Sequence, residues 1–164
     1  MELEPDVLRT TSEEETIAFG EQFAAWLEIG DVVGISGDLG AGKTALVRAL
    51  VRGLGVTGSV KSPTFTLLEP YVVSRLDFYH FDFYRFSEAA EFDLAGFREL
   101  FGPGRICAVE WPERAKGRLP TADLALTLQV KDDGRIAQCA AASDAGVQCL
   151  QEVMRTMQAP AADS

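Results

Sequence analysis

The chain of 164 residues contains no asparagine and a single histidine, His80. The guanine-recognition motif Asn-Lys-x-Asp of GTPases requires asparagine, so this chain cannot carry that motif. A zinc site built on several histidines is excluded as well. The three cysteines, Cys107, Cys139 and Cys149, lack the spacing of a metal site. We therefore predict that they are small apolar residues of the core.

Long apolar segments and net positive charge are also missing. No segment is long and apolar enough to cross a membrane. The formal charge is −10, and residues 1–42 carry ten acidic residues and one basic residue, Arg9. This balance disfavours non-specific binding of the isolated chain to nucleic acid. The acidic N-terminus argues against a secretion or transit signal, so we expect a cytoplasmic protein.

The composition is typical of one globular domain, with 47% apolar and 24% charged residues. Helical and strand patterns alternate along the chain. This alternation favours an α/β domain with a central, mostly parallel sheet, flanking helices and antiparallel hairpin additions. We expect this domain to cover residues 1–158 and residues 159–164 to form a disordered tail.

Periodicity, glycines and capping residues predict the individual elements. The predicted strands cover residues 7–10, 32–36, 65–73, 75–83, 106–109, 124–130 and 135–141. Ser12, followed three residues later by Glu15, forms a capping box that starts the first helix. Further helices are predicted at residues 44–52, 87–94, 97–101 and 145–157, and a loop is predicted at residues 53–63.

Residues 37–44, Gly-Asp-Leu-Gly-Ala-Gly-Lys-Thr, match the phosphate-loop pattern G-x-x-x-x-G-K-[ST] between a predicted buried strand and a helix. Glycine at these positions lets backbone N–H groups close around phosphate oxygens, where a side chain would collide. The helix N-terminus adds partial positive charge. Lys43 can reach the β- and γ-phosphates, and the Thr44 hydroxyl can bind Mg²⁺. The motif therefore predicts binding of a nucleoside triphosphate with Mg²⁺.

A second glycine pattern overlaps this loop, because Gly40, Gly42 and Ala45 also resemble a dinucleotide-binding fingerprint. That fingerprint requires an acidic residue about 20 positions further on, after a second strand. Position 62 is a serine within a predicted loop, so the dinucleotide interpretation fails.

A phosphate-loop enzyme also needs an acidic residue on the Mg²⁺ side of its site, at the end of a buried strand. Glu110 follows the predicted buried strand at residues 106–109, and Asp82 lies in the aromatic segment that ends the strand at residues 75–83. Period-two alternation would place His80 and Asp82 on one face of that strand. Both acids remain candidates, whereas His80 by itself is more typical of a structural histidine.

The segment Lys-Ser-Pro-Thr-Phe-Thr at residues 61–66 lies where a nucleotide-sensing switch would be expected. Thr64 could offer its hydroxyl to Mg²⁺ or to the γ-phosphate. An ordinary Ser-Pro turn remains the alternative for this segment.

Four motifs occur in the order GDLGAGKT, KSPTFTLLEPY, HFDFYR and VEWPE. Together they resemble the TsaE (YjeE) family of small bacterial ATPases, which serve the synthesis of N6-threonylcarbamoyladenosine in tRNA, and the resemblance covers about residues 10–130. It implies a compact P-loop fold, binding of ATP and Mg²⁺, and weak hydrolysis by the isolated chain. It also implies two partners, the transferase subunits TsaD and TsaB, which modify the adenosine next to the anticodon and would need this ATPase for repeated turnover. Contact with tRNA would be indirect, through that complex, and no membrane is involved.

The resemblance also implies roles for individual residues. Lys43 and Thr44 would bind phosphate and metal, Glu110 would be the second acid beside Mg²⁺, and Asp82 would support catalysis or the switch. Thr11 or Ser12 would approach the base, Thr64 would belong to the switch, and Trp111 would lie close to the nucleotide. The implied nucleotide-binding set is Thr11, Ser12, Asp38, Leu39, Gly40, Ala41, Gly42, Lys43, Thr44, Ala45, Thr64 and Trp111, with Lys43, Asp82 and Glu110 catalytic and Thr44 and Glu110 on the metal.

Two other functions remain open. A small-molecule kinase would combine the same loop with a basic lid, for which Arg114, Lys116 and Arg118 are candidates, although a solvated basic loop has the same composition. A non-catalytic nucleotide-binding module could use the acidic N-terminal segment as its contact surface. Phosphate transfer to a metabolite would favour the kinase, and binding without hydrolysis would favour the module.

Overall fold

A computed structural model describes residues 6–10, 12–27, 31–61, 63, 65–73, 76–132 and 134–158 of the chain. The strands are β1 (Asp6–Thr10), β2 (Val32–Gly37), β3 (Leu68–Val73), β4 (Leu76–Asp82), β5 (Arg105–Glu110), β6 (Leu124–Lys131) and β7 (Gly134–Ala141). The helices are α1 (Glu13–Trp26), α2 (Lys43–Gly53), α3 (Glu91–Leu94) and α4 (Asp144–Gln158), with 3₁₀ turns at Phe97–Leu100 and Pro112–Ala115. Residues 159–164, predicted to be a disordered tail, lie outside the described residues.

The seven described strands form one mixed sheet in the order β1-β7-β6-β2-β5-β4-β3. The four central strands are parallel, since β2 pairs with β6 and β5, and β5 pairs with β4. The outer pairs β1–β7, β6–β7 and β3–β4 are antiparallel. The predicted α/β fold with a parallel centre and antiparallel hairpin additions is therefore confirmed.

Helices α1, α2 and α4 contribute to the larger of two apolar cores, in which Phe19, Leu46 and Val153 pack with residues of the sheet. The smaller core is rich in aromatic rings and includes Phe83 and Phe92. Strand β5 serves both, because Ile106 and Ala108 belong to the larger core whereas Cys107 and Val109 belong to the smaller one. Burial on both faces explains why this central parallel strand has a continuous apolar sequence.

All three cysteines are buried in the apolar cores, which confirms their prediction as core residues. Burial raises the pKa of the Cys107 thiol to about 12. A thiol with such a pKa carries almost no thiolate at neutral pH and is a poor nucleophile. In the parts of the chain that the structure describes, no helix combines the length and hydrophobicity of a membrane span.

Two predicted elements are shorter in the structure, for local reasons. Strand β3 starts at Leu68 because Leu67 adopts a left-handed φ of 67° and its N–H donates to the Pro63 carbonyl at 2.7 Å, which closes a turn. The helix predicted at residues 87–94 is reduced to α3, because the Glu91 carboxylate accepts from the backbone N–H groups of Glu88 and Ser87. Those two hydrogen bonds, led by the one from Glu88, lower the pKa of Glu91.

Helices α1 and α2 approach closely at two glycines. A Cβ added at Gly20 would lie 2.6 Å from the Cβ of Ala49, and one added at Gly53 would lie 2.6 Å from the Cβ of Ala24. Such distances are far below a van der Waals contact, so both positions require the smallest residue.

We expect the substitution Gly20→Ala to lower the free energy of unfolding by about 1–3 kcal/mol, the usual cost of overpacking. The added methyl group must push α1 away from α2, which outweighs the gain in helix propensity of roughly 1 kcal/mol. Urea denaturation followed by circular dichroism measures the change. Ala18→Leu, at an exposed position of the same helix, is the matched control. Unchanged or higher stability of Gly20→Ala would contradict the close approach.

Candidate active site

The glycine-rich segment between β2 and α2 forms an open anion cradle. Gly40 and Gly42 adopt φ values of 81° and 101°, in the left-handed region that a side chain makes costly. Gly42 is the N-cap of α2 and has no side chain to cap the helix. The first N–H groups of the helix are therefore available to bind a ligand. N–H groups at a helix start, together with the helix dipole, favour phosphate.

Lys43 is held at this cradle, and its side chain is buried. Its Nζ donates to the carbonyl oxygens of Gly37 at 2.6 Å and Asp38 at 2.7 Å. It also lies 4.4 Å from the centre of the Trp111 ring. All three contacts are with neutral groups, so the positive charge of Lys43 is not neutralised by them. A phosphate oxygen would be a stronger, charged acceptor for the same ammonium group.

Two buried carboxylates lie beside the cradle, because β4 and β5 are parallel and pair Asp82 with Glu110. Asp82 is 5% exposed and Glu110 is 2% exposed. The Thr44 hydroxyl donates to Glu110 at distances of 3.0 Å to Oε1 and 3.2 Å to Oε2. The structure thus joins the last residue of the phosphate loop to the acid at the end of β5.

His80 also contacts Glu110, a partnership that the sequence did not reveal. Its Nε2 lies 2.5 Å from Glu110 Oε2, and its side chain is 1% exposed. Period-two alternation did indicate that His80 and Asp82 share a face. The contact with Glu110, however, depends on the pairing of β4 with β5, which lies 30 residues away in the sequence.

Asp82 is connected to the segment that was predicted to be a switch. Its Oδ1 accepts from the backbone N–H of Tyr84 at 3.0 Å, and its own N–H donates to the Leu67 carbonyl at 3.0 Å. Leu67 closes the turn that begins at Pro63. Thr64, the proposed hydroxyl donor of this segment, lies outside the described residues. The turn is therefore attached to the end of β4, next to a candidate catalytic acid.

Trp111 directly follows β5 and has a left-handed backbone, with φ 58° and ψ 49°. Its N–H donates to the Ile35 carbonyl at 3.2 Å, and its ring lies 5.2 Å from the Tyr84 ring. A left-handed conformation costs a residue with a side chain about 1–2 kcal/mol. The left-handed backbone of Trp111 turns the chain after β5, and its ring forms a wall of the site.

A cavity of about 310 Å³ contains most of the predicted residues. Its lining consists of Leu39, Gly40, Gly42, Lys43, Thr44, Ala45, Asp82, Tyr84, Glu110 and Trp111. Asp38 is not in this lining, although its carbonyl binds Lys43. Tyr84 is the addition, a residue of the lining to which the sequence pattern gave no role.

A second cavity, of about 370 Å³, lies beside the start of α2 and shares Gly42 and Ala45 with the first. Its lining consists of Ser12, Thr16, Ala41, Gly42, Ala45, Gly134 and Arg135. Ser12 caps α1 by accepting from the Glu15 N–H at 3.2 Å, as the capping box predicted. Thr11 lies outside the described residues.

Arg135 in the second cavity is a residue that sequence reasoning missed. Its Nε donates to the Ala41 carbonyl at 3.1 Å, so it holds the phosphate loop from the side of β7. The two residues are 94 positions apart, and only the folding of β7 onto β6 brings Arg135 to the loop. No local motif could have indicated this contact.

Two of the basic residues proposed for a kinase lid have separate partners in the structure. Arg118 lies 2.5 Å from Asp93, and Arg114 donates to the Phe86 carbonyl at 3.2 Å. The Arg114 guanidinium lies 5.6 Å from the centre of the Trp111 ring. Lys116 is exposed.

The oxygen ligands at the site fit a metal ion that arrives with phosphate. Thr44 and Glu110 supply a hydroxyl and a carboxylate, the hard ligands that Mg²⁺ prefers. Within the described ranges, no group of three or more His, Cys, Asp or Glu side chains could hold a metal by itself. Mg²⁺ usually binds through one or two carboxylates together with substrate phosphates, so the residues present match that mode.

Comparison with known proteins agrees with this site. The family model described as Threonylcarbamoyl adenosine biosynthesis protein TsaE matches residues 10–137. Two proteins named tRNA threonylcarbamoyladenosine biosynthesis protein TsaE are similar in sequence. The one from Haemophilus influenzae is 40% identical over 79% of this chain and 85% of its own length. The one from Bacillus subtilis is 40% identical over 76% of this chain and 78% of its own length.

A solved structure is also similar, the crystal structure of YdiB from Bacillus subtilis. It superposes with a TM-score of 0.80 at 32% sequence identity and covers 95% of this chain and 98% of its own. The family match spans the phosphate loop, the turn before β3 and the acids of β4 and β5, which are the parts that build the site. The chain therefore belongs to the TsaE family of threonylcarbamoyl adenosine biosynthesis proteins.

Proposed function

We propose that this chain is a Mg²⁺-dependent ATPase, weak alone and stimulated by partners, that lets the TsaD–TsaB transferase complete repeated rounds of tRNA threonylcarbamoyladenosine formation. Membership of the TsaE family implies a P-loop ATPase role in this biosynthesis. The observation that carries the enzymatic part is the contact of Thr44, at the phosphate loop, with the buried acid Glu110. The protein would act in the cytoplasm, together with the other proteins of this tRNA modification.

The phosphates of ATP would be bound by backbone N–H groups of the phosphate loop and by Lys43, which now contacts carbonyls of the same loop. The N–H groups of residues 40–44 would hold the β- and γ-phosphates, as a helix N-terminus does. Lys43 would exchange the carbonyls of Gly37 and Asp38 for phosphate oxygens. The base would lie towards the second cavity, which Ser12 and Arg135 line.

The metal would be held by the Thr44 hydroxyl and the Glu110 carboxylate. Mg²⁺ in such a site neutralises charge on the β- and γ-phosphates. Glu110 is buried and carries the carboxylate on the phosphate-loop side of β5, so it adds negative charge where a cation is needed.

Hydrolysis would join a water oxygen to the γ-phosphorus and break its bond to the bridging oxygen of the β-phosphate, giving ADP and phosphate. Catalysis of this reaction depends on positioning and on electrostatic stabilisation. Lys43 would stabilise negative charge on the phosphates. Asp82 lies in the same cavity as Glu110 and would orient the groups around the γ-phosphate.

The turn from Pro63 to Leu67 would act as the switch. It is attached to β4 through the hydrogen bond from Asp82 to the Leu67 carbonyl. ATP would order the segment around Thr64, and hydrolysis would release it, as in other nucleotide switches. Phe65 in this turn is 80% exposed and Leu94 nearby is 85% exposed. Exposed apolar side chains of this kind suit contact with a partner protein.

Direct binding of tRNA by this chain alone is not part of the proposal. The formal charge of −10 opposes contact with a phosphate backbone. The tRNA would therefore be reached through the TsaD–TsaB complex. A kinase function has less support, because Arg118, one of the candidate lid residues, is already paired with Asp93.

The roles of Lys43 and Glu110 can be separated by substitution. We expect Lys43→Ala to weaken ATP binding by about 100-fold, since a hydrogen bond to a charged group contributes about 1.5–3 kcal/mol. Glu110→Ala should retain ADP binding measured in EDTA but lose most of its turnover. Isothermal titration calorimetry and phosphate release measure the two effects. Lys116→Ala, at an exposed lysine outside the cavity, is the control, and normal turnover in Glu110→Ala would contradict its role.

Metal binding should require nucleotide, because the described residues supply only part of a coordination shell. Electron paramagnetic resonance with Mn²⁺ as the probe tests this point. We expect little bound Mn²⁺ with the chain alone at micromolar concentrations, and stoichiometric binding once a non-hydrolysable ATP analogue is added. Tight binding of Mn²⁺ to the nucleotide-free chain would contradict a metal site shared with phosphate.

The partner-dependent role is tested by phosphate release from γ-labelled ATP. The chain is assayed alone and then with TsaD, TsaB and tRNA, and we expect strong stimulation by the complete set. Transfer of the label to another acceptor would favour a kinase instead. Nucleotide binding without turnover under every partner condition would favour a non-catalytic module.

A further inference from the structure

We propose that His80 is a positioning residue, which orients the Glu110 carboxylate for the nucleotide-bound metal. The inference rests on the proposed function, because it concerns the metal side of the same site. It goes further by giving a role to the chain's single histidine, a residue that the local sequence pattern did not distinguish from a structural one.

Both side chains of this contact are buried. Glu110 is 2% exposed and His80 is 1% exposed, so neither side chain is solvated by bulk water. A buried carboxylate requires hydrogen-bond donors, since otherwise its desolvation is very costly. Among the described residues, the side-chain donors to Glu110 are Thr44 and His80.

The two donors differ in their distance from the carboxylate. His80 Nε2 lies 2.5 Å from Glu110 Oε2, whereas Thr44 Oγ1 lies 3.0 Å and 3.2 Å from the two carboxylate oxygens. Thr44 is also the proposed metal ligand on the phosphate loop. The proposed mechanism gives His80 no other role, so its hydrogen bond serves only to hold the Glu110 carboxylate.

The two ring nitrogens of His80 have different surroundings. Nδ1 is buried and has no hydrogen-bond partner within the part of the chain that the structure describes. Nε2 faces Glu110, and a carboxylate only accepts hydrogen bonds, so Nε2 is the donor in this contact. The hydrogen bond to Glu110 is therefore the one that fixes the ring.

A hydrogen bond of this kind suits a metal ligand. An N–H group on Oε2 fixes the direction in which the carboxylate presents Oε1 towards Thr44 and the phosphate loop. Hydrogen-bonded partners of metal ligands typically change metal affinity or activity by 10- to 100-fold when removed.

The main test compares nucleotide affinity with and without Mg²⁺. For wild type, His80→Leu and His80→Gln, calorimetry measures the dissociation constant of ADP in Mg²⁺ and in EDTA. We expect His80→Leu to reduce the Mg²⁺-dependent gain in affinity by about 10-fold or more, and to leave binding in EDTA unchanged. His80→Gln, whose amide can donate from a similar position, should restore much of the gain.

The control for a merely structural role is Phe78→Leu. Phe78 is buried in the same strand and packs in the larger core, away from Glu110. It should lower thermal stability without changing the ratio of the two dissociation constants. If His80→Leu also lowers stability but keeps the wild-type ratio, the positioning role is wrong. If the wild type itself shows no gain in affinity from Mg²⁺, the proposed function fails instead.

A second measurement works on the wild-type chain and does not depend on a variant that folds. Because the chain has one histidine, a long-range ¹H–¹⁵N spectrum contains a single imidazole. We expect a proton on Nε2 that exchanges slowly with water and whose resonance is shifted far downfield. Glu110→Gln should shift that resonance. A proton on Nδ1 alone, or a ring that exchanges freely with water, would overturn the proposal.

Discussion

Parallel pairing of β4 with β5 is the constraint on which the site depends. It places Asp82 directly opposite Glu110, and both residues end their strands at the same edge of the sheet. Strand β2 lies on the other side of β5 with Ile35 opposite Glu110, so the phosphate loop that follows β2 begins at this edge too. Ligands of open parallel sheets bind at the carboxyl ends of the strands. The Thr44–Glu110 contact is a direct result of this arrangement.

Hydrogen bonds hold two charged side chains of the site, Lys43 and Glu110, in place. Lys43 donates to two backbone carbonyls, and Glu110 accepts from the Thr44 hydroxyl and from His80. These hydrogen bonds orient both side chains before a ligand arrives, which is the property of a preorganised electrostatic site.

Unusual backbone conformations occur near the sheet edge at which Asp82 and Glu110 end their strands. Leu67 and Trp111 have φ values of 67° and 58°, although neither is a glycine. Each is held by a backbone hydrogen bond, from Leu67 N–H to the Pro63 carbonyl and from Trp111 N–H to the Ile35 carbonyl. Strained residues of this kind persist when the surrounding structure determines them, and they concentrate at functional sites. In this protein Leu67 ends the turn next to Asp82, and Trp111 forms the cavity wall beside Lys43.

The sequence by itself determined the features that are local in the chain. The phosphate loop, the capping box at Ser12 and the apolar strand before Glu110 follow from neighbouring residues, because backbone conformation and periodicity act over short distances. Tertiary structure decided which distant residues meet. The contacts of His80 with Glu110 and of Arg135 with Ala41 depend on strand order and register, which arise from packing the whole sheet. No short segment contains that information, since a strand pattern shows which face is buried but not which strand lies beside it.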